Sequence, residues 1–320
     1  MNRRQLLAAM PAAAGMALAT HAGYGFAQAL PKVNSTVRGV KLGVTSSSFN
    51  PFADVPGKPR MQVLAEMYRQ AGVGFAELGN GTFPQPNPPG NVRGHPPPVL
   101  TPEYTKVREE LRRVRLSPES VQQAKDVRRI FDNQGVEIFS MSSTFQADCT
   151  DAEIDAMMLQ IKALGVNLFH TNQTRVEMIW RLAPFIEKHN LLAAMHPHAA
   201  TDDSNEIART EELERLLRLS ANYRVCLDIG HLTAGNQDVV GFLKKNHAKI
   251  THLHVKDRKK DQGPNVAWGT GDTPIKQCLT LVRDNKWPIL AVMEREYAGT
   301  KTPMEEVVGN MNYMKQALES

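Results

Sequence analysis

From Lys41 to the end of the chain, short apolar runs alternate with amphipathic stretches, and the alternation repeats eight times. The strand-like runs are Lys41–Ser47, Gly74–Gly79, Glu137–Ser142, Asn167–Thr171, Leu191–His196, Arg224–Asp228, Ile250–Val255 and Ile289–Glu294. Between them, Val176, Ile179, Trp180, Ala183 and Ile186 follow helical spacing, as do Met304, Val307, Val308, Met311 and Leu318. Ser117-Pro118 reads as an N-cap followed by proline at the first helical position, opening a helix to about Asn133. Gly72, Gly135 and Gly165 stand where a left-handed residue ends a helix. Eight strand–helix units predict a single-domain α/β fold, a closed (β/α)8 TIM barrel over residues 41–320. The competing open doubly wound sheet would carry a glycine-rich turn after its first strand, and GVTSSSFNPF lacks one.

The first 29 residues read as an address rather than part of the fold. Arg3 and Arg4 precede an alanine-rich apolar run from Leu6 to Ala19, and Ala27-Gln28-Ala29 forms a small-x-small cleavage site. The pattern resembles a twin-arginine export signal, with an ordinary Sec signal as the alternative. It implies the twin-arginine export machinery as a partner and a periplasmic or otherwise exported mature protein. The apolar run is shorter than the ~20 residues that span a bilayer, so no permanent membrane anchor is expected. Residues 30–40 read as a linker. Residues 81–116, rich in proline and glycine, read as a long loop that would emerge at the catalytic face of a barrel, either as a partial lid or as surface decoration.

Composition excludes some classes of function. A formal net charge of +5 is small for 320 residues, and the chain shows no basic block with interleaved aromatics, so nucleic acid is not an expected partner. Cys149, Cys226 and Cys278 show no paired spacing, which argues against a disulfide framework or a thiolate zinc site and for buried thiols. No stripe of residues marks an interface, and the oligomeric state is open.

Four strand-like runs in the second half each end in metal-binding side chains: AAMHPH, VCLDIGH, THLHVKD and AVMERE. Strand residues i and i+2 share a face, and in a parallel barrel the C-terminal strand ends open into one bowl. Residues distant in sequence thus converge, and four such strand ends in succession are hard to explain by burial alone.

Here the chain resembles the xylose-isomerase-like barrels, a broad family of sugar isomerases, epimerases and dehydratases with an endonuclease branch. The resemblance implies one divalent cation held by His196, Asp228, His254 and Glu294, after the fifth to eighth strands. It also implies that His231, Lys256 and Arg258 face substrate oxygens and that Glu77 in FAELG holds a substrate hydroxyl. Epimerases of the family commonly carry glutamate where His196 stands, so a symmetric two-carboxylate epimerisation loses one partner here. Nitrogen and oxygen donors without thiolate suit Mn²⁺, Zn²⁺, Co²⁺ or Fe²⁺.

Bottom-up, such a site polarises a sugar carbonyl and acidifies the adjacent C–H. Glu294 is expected to take that proton, with His198 or Lys256 supplying the acid. Trp268, in the loop after the seventh strand, is expected to cover a sugar face. The first function expected is a metal-dependent isomerase or epimerase acting on a small-molecule carbohydrate, a sugar or keto-sugar. The alternatives are a carbon–oxygen lyase or dehydratase on a keto-sugar or 3-keto-glycoside, and a non-catalytic carbohydrate-binding barrel. The endonuclease branch needs more carboxylates than the sequence places.

Overall fold

A short strand, β1 (Thr36–Val37), runs antiparallel into β2 (Val40–Thr45), the first stave of a closed parallel barrel. The computed structural model describes residues 29–320 except 80, 81, 84, 91–95, 98 and 173. The other staves are β3 (Phe75–Leu78), β4 (Glu137–Ser143), β5 (Leu168–Thr171), β6 (Leu192–Met195), β7 (Tyr223–Asp228), β8 (Ile250–Val255) and β9 (Leu290–Met293). Each pairs in parallel with the next, and β9 closes on β2 through Leu42–Ala291 and Gly43–Val292. The expected strand positions hold to within one or two residues at nearly every end.

Around the barrel run α1 (Arg60–Gln70), α2 (Pro102–Leu116), α3 (Pro118–Asn133), α4 (Asp151–Ala163), α5 (Val176–His189), α6 (Thr210–Leu216), α7 (Ile229–Ala234), α8 (Val239–Asn246), α9 (Ile275–Asp284) and α10 (Pro303–Glu319). Gly72, Gly135 and Gly165 take positive φ just after α1, α3 and α4, as their positions imply.

The period-2 alternation of each strand divides its side chains between two environments. Ala76, Phe169, Ala193, Met195, Val225, Leu227, Leu253, Val255, Ala291 and Met293 face the helices and belong to the main core. Inside the barrel, Leu168, Ala194 and Cys226 form a small separate cluster with Phe139 and Leu192 packed on it. From the level of Cys226 upward the interior residues turn polar: Glu77, His170, His252 and, a layer higher, His196, Asp228 and His254, all at most 4 % exposed.

Two boundaries differ from expectation. The 81–116 segment is not a loop throughout, because Thr101 caps α2 by accepting from the Tyr104 N–H and Pro102 follows at the first helical position. Residues 30–40 are not a free linker. The Leu30 and Val33 N–H groups donate to Asn133 O and Gly135 O, and Arg69 donates to Pro31 O, so the segment lies across the N-terminal end of the barrel. The expected export signal falls outside the described residues, apart from Ala29. Among the described residues, no helix is long and apolar enough to cross a membrane.

Candidate active site

The C-terminal ends of β6 to β9 bring His196, Asp228, His254 and Glu294 together, so that one ligand atom from each lies within 4.8 Å of the others. His254 Nδ1 stands 3.1 Å from His196 Nε2 and 3.2 Å from Glu294 Oε2, and His196 Nε2 stands 3.3 Å from Asp228 Oδ2. Asp228 serves two neighbours with its two oxygens: Oδ1 accepts from the His231 N–H at 2.6 Å and caps α7, while Oδ2 faces the cluster. The cap fixes the carboxylate rotamer, and α7 thereby holds one donor of the cluster in place.

Beneath the cluster lies Glu77. Its Oε1 accepts from His254 Nε2 at 2.7 Å, and since a carboxylate offers no proton, that nitrogen carries the hydrogen. Burial works against a charge on His254, but Cys226, Glu77 and Glu294 raise its pKa well above the usual imidazole range, so Nδ1 offers a lone pair to the cluster once a bound cation displaces its proton. A carboxylate on the far nitrogen is the arrangement that orients a metal-binding imidazole. Burial would raise the Glu77 carboxyl, but the His170, His254 and His252 imidazoles hold it well below the usual carboxylate range. Glu77, expected to hold a substrate hydroxyl, has imidazoles at both oxygens and supports the cluster from below, and it also lines the cavity that opens beside it.

Beside the cluster sits Lys256, 1 % exposed, with its ammonium 2.8 Å from Asp228 Oδ2, 3.0 Å from Glu294 Oε2 and 2.6 Å from Glu296 Oε2. Burial works against its charge, yet the three carboxylates raise its pKa, so it gives up a proton reluctantly. That corrects its expected role as an acid: its contribution is a fixed positive charge. Glu296 joins this group, whereas Arg295 turns to Ser48 O and Asn50 O. For Glu294, burial is outweighed by the charges of Lys256 and His254, and its carboxyl sits well below the usual range.

A cavity of about 490 Å³ opens over one side of the cluster. His196, His254 and Glu294 reach it, together with Ser46, Ser47, Asn50, Phe52, Arg60, Thr82, Ser142, His170 and Asn172. Other expected contacts lie elsewhere. His198 binds Glu206 at 2.6 Å and packs edge-on against His196 and His231. His231 stands with Nε2 2.8 Å from Lys256 Nζ and Nδ1 2.7 Å from Arg258 Nη1, of which a neutral ring can accept from one, and Arg258 also donates to Gly263 O. None of these three lines this cavity; they stand beside His196 and Lys256. Trp268 does not line it either, and its ring stands edge-on to Tyr313 of α10. The wall from Asn50, Phe52 and Arg60 was not foreseen. Its one unusual contact, the Arg60 guanidinium 3.8 Å over the Phe52 ring, depends on how the β2–α1 connection folds back and leaves no spacing to read.

Residues 103–317 match the xylose isomerase-like TIM barrel family. The chain belongs to this family. It is 23% identical over 164 residues to inosose dehydratase of Clostridium perfringens, covering 45% of this chain and 54% of that protein. The chain thus spans about half the length of the curated relatives it matches. Its fold is similar to that of D-psicose 3-epimerase from Clostridium cellulolyticum H10, with a TM-score of 0.60, 12% identity, and coverage of 88% of this chain and 100% of that one. A sugar phosphate isomerase/epimerase from Parabacteroides distasonis is similar too, with a TM-score of 0.59, 16% identity, and coverage of 92% and 100%. The barrel is therefore shared with epimerases, isomerases and dehydratases.

Proposed function

We propose that this chain is a divalent-metal-dependent carbon–oxygen lyase acting on a keto-sugar or an oxidised cyclic polyol. One observation carries the reading: of the two carboxylates in the four-residue cluster, Glu294 alone reaches the cavity, and His196 holds the position facing it. The donor set fits a dication. Asp228, Glu294 and Glu296 bring three negative charges and Lys256 one positive, leaving a deficit that a 2+ ion fills, and His254 Nδ1 can turn a lone pair inward when it gives up its proton to such an ion. His196, Asp228, His254 and Glu294 would hold the metal, with nitrogen and oxygen donors that suit Mn²⁺, Zn²⁺, Co²⁺ or Fe²⁺. When bound, it polarises the substrate carbonyl and acidifies the neighbouring C–H.

The protein's own groups account for the rest. Glu294 takes the α-proton and passes it to the departing oxygen on the neighbouring carbon, on the same face of the substrate, so one carboxylate suffices as base and then acid. Ser46, Ser47, Asn50 and Asn172 line the cavity with hydroxyl and amide groups suited to a polyol. A second reading is isomerisation, in which Glu294 returns the proton to the adjacent carbon. It is favoured by Lys256, whose firmly held proton makes it a poor donor to a leaving group. Epimerisation needs a second proton-transfer group on the opposite face, where this chain has His196. We also propose export of the mature protein, on the strength of Arg3, Arg4 and the alanine-rich run that follows.

The test is incubation of the mature protein with Mn²⁺ and a panel of ketoses, inososes and 3-keto-glycosides in D₂O. Release of water or an aglycone supports the lyase, and deuterium at the α-carbon without release supports isomerisation. Neither outcome with any substrate would leave a carbohydrate-binding barrel. Full turnover by Glu294→Gln would remove Glu294 as the base.

A further inference from the structure

Barrel interiors are normally filled by branched apolar residues, yet the layer beneath the active site holds Glu77, His170, Cys226 and His252. All four are buried, at 1 %, 3 %, 0 % and 0 % exposure. Ligand atoms of His170, Cys226, His252 and His254 lie within 4.8 Å of one another. The layer is also short of hydrogen bonds. Glu77 Oε2, His170 Nδ1 and His252 Nε2 have no hydrogen-bond partner, although His252 Nε2 is 2.9 Å from Glu77 Oε2 and His170 Nδ1 is 3.1 Å from Glu77 Oε1. The atoms are close, but their alignment falls short of well-formed hydrogen bonds.

The outer nitrogen of the His252 ring, Nδ1, stands 2.8 Å from Thr251 Oγ1, and the inner one, Nε2, stands 2.9 Å from Glu77 Oε2. When Thr251 accepts from Nδ1, Nε2 is left with a lone pair aimed at the carboxylate, and a cation between the two would select that tautomer. The spacing is also near the ligand–ligand edge of a tetrahedral zinc site, about 3.3 Å for Zn–N and Zn–O bonds of about 2.0–2.1 Å.

We propose that Glu77, His170, His252 and Cys226 form a second cation site, beneath the upper cluster in the barrel, that takes Zn²⁺ or a chemically similar ion. Two imidazoles, a carboxylate and a thiol make a four-ligand shell, which is the composition of a structural site. Thr251 on the outer nitrogen of His252 supplies the orienting bond such ligands need. His254 bonds to Glu77 from one nitrogen and faces the upper cluster from the other, so the deep ion would brace the catalytic one. The soft thiol separates the two sites, since the upper cluster has no sulfur.

The experiment uses full-length mature protein, unfolded in chelator and refolded with Co²⁺, in the wild type and in Glu294→Gln and Cys226→Ser. The expected result is two cobalt ions per wild-type chain with a thiolate-to-cobalt charge-transfer band in the near ultraviolet. Glu294→Gln should keep the band at full intensity while weakening the second equivalent, and Cys226→Ser should lose the band. Zinc analysis of the native protein after dialysis against a chelator should find one retained equivalent. A wild type with no thiolate band and no chelator-resistant metal overturns the proposal, whatever the upper site does. If the band persists while the carbohydrate panel shows no reaction, the deep site stands and the lyase reading falls.

Discussion

Lys256 is the cation already in place among three carboxylates, and that has a measurable consequence. With the ammonium gone, Asp228, Glu294 and Glu296 face one another in a buried pocket. Removing one partner of such a group leaves uncompensated charge at a cost of about 3–5 kcal/mol. Lys256→Met should therefore destabilise the metal-free protein by roughly that amount. Added Mn²⁺ should restore more stability to the variant than it adds to the wild type, read as the rise in urea midpoint. An equal rise in both would mean that the ammonium and the metal do not share these carboxylates. The strand ends that carry the cluster were legible in the sequence, but period-2 alternation gave His196 and His198, His252 and His254, and Glu294 and Glu296 the same face, and the family resemblance chose among them. The roles of Lys256, His231, Arg258 and Trp268 were not legible, because each depends on partners from other loops. Lys256 changes from acid to counter-ion through Glu296, two residues beyond Glu294, and Trp268 finds Tyr313 on the last helix.

Helix α2 shows how an element can hide. Its start carries ordinary signals, Thr101 and Pro102, but its buried face presents Tyr104, Arg108, Leu111 and Arg115, so half of the inward positions are arginine. Apolar periodicity therefore fails, and the segment reads as loop. What replaces the missing hydrophobic face is an ion network: Arg108 contacts Glu153 at 2.7 Å and Asp148 at 2.9 Å, and Arg115 donates to Gln146 at 2.7 Å. Arg108→Ala should cost about 1.5–3 kcal/mol, because buried Glu153 loses its two-pronged partner while keeping Arg112 and the Thr150 N–H. The same network predicts a pH dependence. Burial alone would raise the Glu153 carboxyl, but hydrogen bonds from Arg108 and the Thr150 backbone, with the Arg108 charge, bring it from 4.5 to about 2. A folded-state pKa below the unfolded one gives stability that is present above the unfolded value and lost as pH falls through the folded one. About 3 kcal/mol should thus disappear between pH about 5 and pH about 2. Urea unfolding across that range should show a flatter profile for Glu153→Gln than for the wild type. Parallel profiles would place the acid sensitivity elsewhere.

The barrel is closed differently at its two ends. The C-terminal end carries the charged cluster and the cavity, and the opposite end is crossed by residues 30–40, which begin one residue past the expected cleavage point at Ala29. Removing the export signal would thus leave this strap intact. Its fit against the barrel is tight enough to dictate sequence beneath it. A Cβ added to Gly74 would lie 2.2 Å from Val33 O, and the Gly74 N–H donates to Ser35 Oγ at 2.9 Å. Gly74 does not have a positive φ, so its requirement for glycine comes from this approach and not from backbone conformation. Gly74→Ala should destabilise the mature chain by about 1–3 kcal/mol, the range for forcing extra volume into a packed contact. In a chain shortened to begin after Val37 the clash is absent, and the same substitution should cost much less. The two changes together form a double-mutant cycle whose coupling term isolates the strap. A coupling energy of more than about 1 kcal/mol is expected from urea unfolding of the four proteins. If Gly74→Ala costs the same with and without residues 30–37, the strap does not seal the barrel in solution.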